Sequence, residues 1–518
     1  MAEFTQSQRG GLYELTESTR AQLVDSKYFN ADLAPTSFAE RTWNTYHISM
    51  LWVGMAICIP SFMMASGAVG YGLPVWAAVL NVILGNAIIL VPIQLNSHAG
   101  TRYGIPFPVF SRLTFGMRGA QIPTISRAIT ACGWNMVQSV TGGAALLFML
   151  KALVPAFNDL ATSAQVVAFL IFLALSGWLT ASGHKAIRVF ESFSSPVLIV
   201  LSVLLLVWAA LLAGNAGFSF GDVFSSNLSA GGLTDKSQYV YWFMFALNGN
   251  IGFWATMALN IPDFSRYAKS QKVQFRGQMY GMLPGMAFCA IVGAFYAQAT
   301  FLSLGTAYFS PVDALGVIND GSTLMRVVVF IVGIGVVFAT LTTNIAANVV
   351  APANGFSNLN PKKISYKVGT LIACLVAVVY YLPFTFSASF GGFMFNFLNV
   401  YGGFLAPLAS IFIIDYYIIK KRNVDVASLY SASVNGRYWY SGGFNPSAVI
   451  AWVAGAILPT LISLIPALNV GALSWINANA YLFAFFVALI VYALIMPRNH
   501  VSTLSDAQEK EITQDIIA

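Results

Sequence analysis

The residues best suited to chemistry in this sequence are aromatic and amide side chains within strongly apolar segments. Trp134 and Gln138 are one helical turn apart, as are Asn344 and Asn348, so each pair shares a helix face. Trp254 follows an interruption in another apolar segment. Indole rings can stack on a flat ring, while carboxamides donate to and accept from its edge. Because none of these side chains is charged, the set suits a neutral planar heterocycle such as a nucleobase or a hydantoin.

The composition indicates which solvent surrounds the elements that must position these residues. The chain has 518 residues, of which 57% are hydrophobic and only 9% are charged. Its mean hydropathy is +0.71. Such a chain has too little polar surface to cover a soluble globule of this length. We therefore predict an all-α integral membrane protein.

Apolar runs of about 20 residues, long enough to cross roughly 30 Å of hydrocarbon, recur along the whole chain. They predict about twelve transmembrane helices. The runs begin near Trp43, Val75, Ile122, Val166, Phe193, Tyr239, Met279, Met325, Val368, Phe390, Ala448 and Tyr481.

The charges of the connecting loops predict the orientation. Lys and Arg concentrate in alternate loops, as in the Arg266 to Arg276 stretch and around Lys420, whereas the intervening loops carry mainly Asp. Cytoplasmic loops of membrane proteins are enriched in Lys and Arg. Both termini are therefore expected in the cytoplasm, with the protein in the plasma or inner membrane. The net charge of +7 then reflects loops beside an anionic leaflet and does not indicate nucleic-acid binding.

These spans and loops predict five regions. Residues 1–42 are expected to form a cytoplasmic tail, and residues 43–416 a ten-helix core. Residues 417–446 are expected to form a cytoplasmic loop, residues 447–497 two accessory helices, and residues 498–518 a second cytoplasmic tail. The four cysteines fall inside predicted spans, where they act as small apolar residues.

Two of the predicted spans are interrupted. The first contains Gly54-Met-Ala-Ile-Cys-Ile-Pro60-Ser61, and the sixth contains Leu247-Asn-Gly-Asn-Ile-Gly252-Phe-Trp254. Taken singly, a tryptophan often belongs to the interfacial belt, and a buried amide often bonds two helices together. Interruptions in lipid are costly unless the freed backbone lines a cavity, and two breaks five spans apart suit a fold of two five-helix halves. The combination favours a binding site at the breaks.

Several motifs occur in the order in which one known family carries them. The chain resembles the nucleobase:cation symporter family, which includes hydantoin, allantoin, uracil and cytosine permeases, from about Glu40 to about Arg422. Its details are closest to the allantoin, uracil and hydantoin branch. The motifs are Ala39-Glu-Arg41, Trp52-Val-Gly-Met-Ala-Ile57, Tyr103-Gly-Ile-Pro-Phe-Pro-Val109, Phe115-Gly116-Met-Arg118-Gly119, Asn260-Ile-Pro-Asp263-Phe, Thr343-Asn-Ile-Ala-Ala-Asn348 and Asp415-Tyr-Tyr417.

The resemblance implies a LeuT-like fold, with a five-plus-five inverted repeat, broken helices 1 and 6, and two extra C-terminal helices. It also implies cation-coupled import of a substrate by alternating access. Trp134 and Trp254 would sandwich the substrate ring, and Gln138 and Asn348 would bond its edge. The substrate set is completed by Cys58, Phe253 and Asn344, with Leu398 as an outer gate. Cys58 departs from the hydantoin permease, which has a glutamine there.

The sequence leaves two candidates for the coupling ion, sodium and the proton. By resemblance, a sodium site would use the backbone carbonyls of Gly54, Ile57 and Ala339 and the hydroxyls of Thr342 and Thr343. A membrane-helix threonine can also simply bond back to its own backbone. Glu191, at the end of span five, offers a carboxyl that could carry a proton instead, or could pair with the nearby Arg188.

Other function classes fit the sequence less well. The histidines are not paired at metal-ligand spacing, and no catalytic triad, phosphate loop or dinucleotide fingerprint stands in a suitable context. We predict neither an enzyme nor a cofactor, no metal other than the alkali cation, and no obligate protein partner. A channel would usually show a repeated filter or charged rings. A proton-coupled cytosine or purine permease of the same fold is the nearer alternative.

Overall fold

A computed structural model describes residues 6–154, 163–182, 184–226, 235–318, 321–385 and 390–497. Within these ranges the chain is largely helical, and a short antiparallel hairpin precedes the helices. The hairpin pairs β1 (Gln6–Arg9) with β2 (Leu12–Leu15). It is joined by Gly10 and Gly11, whose φ angles of 57° and 79° suit glycine.

Twenty-one α-helices follow in the described ranges, and two of them continue into π-helical turns at Asn344–Val349 and Asp415–Ile419. The helices are α1 (Glu17–Leu23), α2 (Thr45–Ala56), α3 (Ile59–Gly70), α4 (Val75–Tyr103), α5 (Phe107–Phe115), α6 (Gln121–Leu153), α7 (Ser163–Ala181), α8 (His184–Asn215), α9 (Phe220–Ser225), α10 (Lys236–Phe253), α11 (Ala255–Asn260), α12 (Pro262–Ser265), α13 (Gln271–Leu304), α14 (Pro311–Ile318), α15 (Thr323–Thr343), α16 (Val350–Leu359), α17 (Tyr366–Thr385), α18 (Phe390–Ile414), α19 (Pro446–Leu464), α20 (Ala472–Ala478) and α21 (Ala480–Ile495).

Local sequence explains several helix ends. Asn44 caps α2, because its side chain accepts a hydrogen bond from the backbone N–H of His47 at 3.1 Å. α4 ends at Gly104 and α13 ends at Gly305, with φ angles of 70° and 69°. A glycine in the left-handed conformation is a common way to end a helix.

The long helices are apolar enough to cross a membrane. Among the described residues, eight helices have the required length and hydropathy, or up to ten if each of two bent pairs counts as one span. The bent pairs are α2 with α3, at 55°, and α20 with α21, at 89°. The predicted membrane-spanning character agrees with these helices, while the count of twelve stays a prediction.

The helices pack in two groups. α2, α3, α4, α10, α11 and α13 pack mainly against one another, and we call them the bundle. α6, α7, α15, α16 and α17 form the second group, which we call the scaffold. α8 contacts both groups, and α18 packs against α19 and α21. The two interrupted spans belong to the bundle, whereas the helices of Trp134 and Asn348 belong to the scaffold.

Within the bundle, α13 packs very closely on both halves of the first broken span. A Cβ atom at Gly277 would lie 2.6 Å from Cβ of Ile48, and one at Gly281 would lie 2.7 Å from Cβ of Trp52. Further along α13, a Cβ at Gly293 would lie 2.9 Å from the carbonyl carbon of Phe62 in α3. Small residues allow membrane helices to approach at backbone distance. Side chains larger than glycine would force these helices apart.

The N-terminal segment is packed against the helices, which its polar sequence did not indicate. Asn30 Nδ2 donates to the carbonyl of Pro361 at 2.6 Å, between α16 and α17. Thr36 Oγ1 donates to the carbonyl of Arg266 at 2.8 Å, just after α12. Ser26 Oγ donates to the carbonyl of Tyr430. The segment therefore crosses from the scaffold side to the bundle side of the molecule.

Arg41 anchors the end of this segment. Its guanidinium donates to the carbonyl of Thr101 at 3.0 Å and to that of Thr36 at 3.1 Å. Burial lowers the pKa of Arg41 to about 10, and the negative charges of Glu14 and Glu40 limit this decrease. Arg41 therefore stays protonated at neutral pH and keeps all its donors.

A buried ion pair closes the end of α18. Lys420 Nζ lies 2.5 Å from both carboxylate oxygens of Asp415. The same carboxylate accepts hydrogen bonds from Thr114 Oγ1 and from the hydroxyl of Tyr492, each at 2.8 Å. Because Tyr492 lies on α21, the pair ties the last helix to the core.

We expect Asp415→Asn to destabilise the protein by about 3 to 5 kcal/mol, because it leaves the Lys420 charge buried without a partner. Thermal unfolding in detergent measures this loss. The double variant Asp415→Asn with Lys420→Met should recover most of it, since no buried charge remains. Asp425→Asn, at a half-buried carboxylate bonded to Ser428, is the control. An Asp415→Asn protein as stable as the control would contradict the prediction.

Candidate functional site

The first helix interruption lies where the sequence predicts it, whereas the second lies at Trp254 itself, because α10 stays helical through Leu247 to Phe253. α2 ends at Ala56, and Ile57 (φ −83°, ψ 80°) and Cys58 (φ −141°, ψ 161°) leave the helical conformation before α3 begins. Pro60, the second residue of α3, suits a helix start because its missing N–H has no partner to lose there. In the sixth span, Trp254 (φ −103°, ψ 9°) separates α10 from α11.

The two interrupted spans meet through their tryptophans. The rings of Trp52 and Trp254 lie edge to face, with centroids 5.2 Å apart and planes at 72°. α18 approaches from the other side, since a Cβ atom at Gly252 would lie 3.9 Å from the carbonyl oxygen of Leu398. The breaks and the middle of α18 therefore enclose one region.

An aromatic cluster fills this region. The ring of Phe253 lies edge to face with Trp134, at 5.4 Å, and with Trp254, at 5.0 Å. The indole N–H of Trp134 donates to the hydroxyl of Tyr401 at 3.0 Å. The structure thus brings together the three aromatic residues that the sequence selects. Tyr401 was missed, although its position one turn after Leu398 would have placed it on the same face of α18.

The carboxamides form a chain beside this cluster. Asn348 Nδ2 donates to Asn344 Oδ1 at 3.2 Å, and Asn344 Nδ2 donates to Asn135 Oδ1 at 2.8 Å. Asn135, next to Trp134, is a second residue that the sequence analysis missed. Its apolar neighbours give the same signal of a polar group inside a membrane helix. These two hydrogen bonds fix the side chain of Asn344. The side-chain oxygen of Asn348 takes part in neither of them.

Four buried side-chain polar atoms in and beside the cluster have no hydrogen-bond partner among the described residues. They are Oε1 of Gln138, Nε1 of Trp254, Nε1 of Trp52 and Nδ2 of Asn135. A buried polar atom left without a partner costs about 1 to 3 kcal/mol. A ligand that supplies a donor for Gln138 Oε1 and an acceptor for Trp254 Nε1 would remove two of these costs.

Asn344 and Asn348 lie in the π-helical turn Asn344–Val349. This turn contains an extra residue relative to an α-helix, so it changes the direction in which the following side chains project. Turns of this kind often occur at functional sites. The sequence did not predict it.

Cys58 lies where the substrate residues and the proposed ion residues meet. Its sulfur is 3.2 Å from Ser61 Oγ. The side chains of Gln138 and Thr343 lie near enough to act on the thiol electrostatically. The thiol therefore lies close to one member of each predicted set.

The residues predicted to bind a cation come together at the first break. Thr342 and Thr343 both donate to the carbonyl oxygen of Gly54, at 3.1 and 3.0 Å. Thr343 also lies 3.1 Å from the carbonyl oxygen of Met55, and Thr342 lies 2.9 Å from that of Ala339. Met55 is an addition to the predicted set.

This group of oxygens has the chemistry of an alkali-cation site. Each hydroxyl gives its only proton to a carbonyl and keeps its lone pairs as acceptors. Unwound carbonyls are where transporters of this type hold sodium. Ile57, the remaining predicted ligand, lines a mainly apolar cavity with Ala339 and Phe62, so its carbonyl as an ion ligand stays a prediction. The donor set therefore fits a small hard cation.

Two predicted residues remain, the proposed outer gate Leu398 and the possible proton carrier Glu191. Leu398 is 1% exposed and packs in the main core beside the aromatic cluster. Glu191 belongs to α8, but its side chain lies outside the described residues, so the proton site stays a prediction.

The site is closed to solvent. Trp134, Gln138, Phe253, Trp254 and Asn348 are each at most 6% exposed. Their contacts cross between the two helix groups, since Trp134 and Asn348 belong to the scaffold and Phe253 and Trp254 to the bundle. A solute can enter only if these groups move apart.

Comparison with known proteins agrees with this geometry. Residues 35–498 match the family described as permeases for cytosine/purines, uracil, thiamine and allantoin. The chain belongs to this family. The match continues beyond Arg422, where the sequence motifs end, and takes in the last two predicted helices.

Two relatives in this family have named substrates. A purine-uracil permease of Arabidopsis thaliana is 38% identical over 485 residues, covering 92% of this chain and 78% of its own length. An allantoin permease of Bacillus subtilis is 31% identical over 479 residues, covering 91% of this chain and 94% of its own. These family members are permeases, so the chain is a transporter and not an enzyme.

A solved structure confirms the fold. MHP1, a nucleobase-cation-symport-1 family transporter in a closed conformation with bromovinylhydantoin bound, matches with a TM-score of 0.76 and 25% identity, over 94% of this chain and 99% of that chain. A sodium-coupled sialic acid symporter shares the fold alone, with a TM-score of 0.57 and 12% identity. The protein is thus a multi-pass, cation-coupled membrane transporter with the predicted all-α, LeuT-like fold. The inverted repeat and the exact helix count stay predictions.

Proposed function

We propose that this protein imports a neutral planar heterocycle of the allantoin, uracil or hydantoin type together with sodium. The observation that carries the proposal is the closed aromatic site in which Gln138 Oε1 and Trp254 Nε1 are buried with no hydrogen-bond partner among the described residues. A ring that carries an N–H beside a carbonyl can satisfy both atoms. A charged solute would be desolvated there without a countercharge, which is costly.

Different side chains would recognise the faces and the edge of the substrate ring. Trp134 and Trp254 are proposed to contact the faces of the ring, with Phe253 beside both indoles. Gln138 and Asn348 are proposed to bond its edge, while Asn344 holds Asn348 in place. The named substrates of the relatives, purines and uracil for one and allantoin for another, are rings of this kind.

Sodium is proposed to bind at Gly54, Met55, Ile57 and Ala339 through carbonyls, and at Thr342 and Thr343 through hydroxyls. Cys58 supports coupling between this site and the substrate site, because its thiol lies near both Thr343 and Gln138. An ion that fixes the first break would also fix the wall of the substrate site. Such coupling is reciprocal, so substrate would tighten ion binding by the same factor.

Transport would follow from movement of the bundle against the scaffold, because the site lies between these groups. We propose that the ten-helix core of residues 43–416 carries this movement. The loop 417–446 and the accessory helices of 447–497 would stay outside it, with both terminal segments in the cytoplasm and the protein in the cell membrane. No obligate protein partner is proposed.

The test is ligand-dependent thermal stability of the purified protein. A ligand that binds the folded state raises the unfolding temperature in a concentration-dependent way. We expect shifts with uracil, allantoin or a hydantoin, larger in sodium than in choline, and none with amino acids or sugars. Shifts confined to cytosine or purines and independent of sodium would favour the alternative permease. A strong shift with a charged amino acid would overturn the assignment.

Asn348→Ala locates the binding site in the same assay. Loss of one buried partner of a substrate polar group should weaken affinity roughly tenfold to a hundredfold. The control is Asn86→Ala, because Asn86 is also buried in a membrane helix but its amide donates to its own helix, to the carbonyl of Val82 at 2.8 Å. Equal affinities in both variants would remove Asn348 from the site.

A further inference from the structure

Arg127 is a buried charge on the same helix as Trp134, with hydrogen bonds to Thr256, Asn260 and Ala347, which lie outside the proposed substrate set. It lies on α6, about two turns before Trp134, and is 1% exposed. A charged side chain at membrane depth is costly and needs polar partners. The sequence alone does not distinguish it, because an arginine near a span end usually reaches the interface.

The guanidinium joins the two helix groups. Its Nε lies 2.9 Å from both the carbonyl oxygen of Thr256 and the side-chain oxygen of Asn260, on α11 of the bundle. Its Nη2 lies 2.7 Å from the carbonyl oxygen of Ala347, in the π-helical turn of the scaffold. A single side chain on α6 thus holds α11 against the scaffold.

The contact with Ala347 also bears on substrate recognition. Ala347 directly precedes Asn348, and the π-helical turn has irregular backbone bonding there. A charge-assisted hydrogen bond is roughly twice as strong as a neutral one. Arg127 therefore fixes the backbone from which the Asn348 side chain projects.

We infer that Arg127 is a positioning residue that clamps the bundle to the scaffold on the side of the site next to the loop between α5 and α6. This inference rests on the proposed alternating access, in which that side faces the cytoplasm. Opening toward the cytoplasm would require the bonds to Thr256 and Asn260 to break, while the bond to Ala347 can persist. The clamp then sets how often the site opens inward.

Arg112 provides a matched control for this role. It is also an arginine buried at 0% exposure. Its guanidinium donates to the carbonyl of Leu429 at 2.9 Å and to Asn358 Oδ1 at 2.6 Å. Asn358 lies on α16 of the scaffold, and Leu429 lies in the loop after α18. Its hydrogen bonds therefore do not join the bundle to the scaffold.

The test uses Cys58 as a reporter in a protein whose other three cysteines are alanine. Cys58 is fully buried in the closed site, so a charged methanethiosulfonate reagent applied to inside-out vesicles reaches it only after inward opening. We expect Arg127→Gln to label roughly tenfold faster than the parent, since it loses charge-assisted bonds across the interface. Arg112→Gln should label at the parent rate. Asn260→Leu, which removes the side-chain acceptor on the bundle, should accelerate labelling less.

The inference would be overturned if folded Arg127→Gln labels at the parent rate, or if Arg112→Gln accelerates labelling equally. If Arg127→Gln does not fold, Asn260→Leu decides by the same comparison. Labelling needs no substrate, so the result is independent of which heterocycle the protein carries. If no ligand stabilises the protein but Arg127→Gln still labels faster than the parent, the substrate proposal would be wrong and the clamp would be supported.

Discussion

Replacing Trp134 with alanine should abolish saturable uptake while leaving a folded protein. The indole contacts Phe253 at 5.4 Å between ring centroids and donates to Tyr401 at 3.0 Å. Stacking of a base on an aromatic ring contributes about 1 to 3 kcal/mol, which corresponds to roughly tenfold to a hundredfold in affinity. The truncation also opens a cavity in the site, which lets Phe253 and Tyr401 move. Uptake of radiolabelled substrate by cells or proteoliposomes measures the result.

The control for this substitution is Trp178→Ala. Trp178 lies on α7 and is 66% exposed on the outer surface of the helices. It should keep nearly full uptake. Trp134→Phe should retain partial activity, because it keeps an aromatic face but loses the bond to Tyr401. Saturable uptake by Trp134→Ala equal to that of the Trp178→Ala control would exclude Trp134 from the substrate site.

Thr343→Val should remove the dependence of uptake on sodium and lower its rate by at least tenfold. Valine keeps the shape of threonine but lacks the hydroxyl, which lies 3.0 Å from the oxygen of Gly54 and 3.1 Å from that of Met55. Losing one hard oxygen ligand weakens a small cation site directly. Losing the bonds to Gly54 and Met55 also loosens the first helix break. Uptake at fixed pH, titrated with sodium against choline, measures both effects.

Thr340→Val is the matched control for the ion site. The Thr340 hydroxyl donates to its own helix, to the carbonyl of Val336 at 2.8 Å. This variant should keep the sodium dependence of the parent. Full wild-type activity in choline, together with a Glu191→Gln variant that loses pH dependence, would identify the proton as the coupling ion instead.

Much of this architecture could be predicted because lipid imposes simple rules. Apolar length gives the spans, and the cost of unpaired backbone in lipid makes Gly- and Pro-containing breaks conspicuous. For the same reason, polar residues such as Gln138 and Asn344 stand out within apolar runs. The selected aromatic residues and the threonines of the proposed ion site therefore come together at the two breaks, while the side chain of Glu191, on the fifth predicted span, is not described.

The rest depends on tertiary packing that leaves no local pattern. The π-helical turn differs from an α-helix by one residue, and Asn344–Val349 has no composition that indicates it. Asn30 and Thr36 look like ordinary polar tail residues until their partners, more than 200 residues away, are known. Arg127 likewise shows its role only through the three carbonyl groups that surround it.

The close packing of α13 on the first broken span has a mechanical consequence. A helix break is normally a place where a chain can bend. Here one continuous helix lies at backbone distance from α2, at Gly277 and Gly281, and from α3, at Gly293. This helix holds α2 and α3 in a fixed relative orientation, because bending at Ile57 and Cys58 would pull these contacts apart. The first span therefore moves as one rigid unit despite its break. The flexibility needed for transport lies elsewhere, at helix interfaces where side chains can slide past one another.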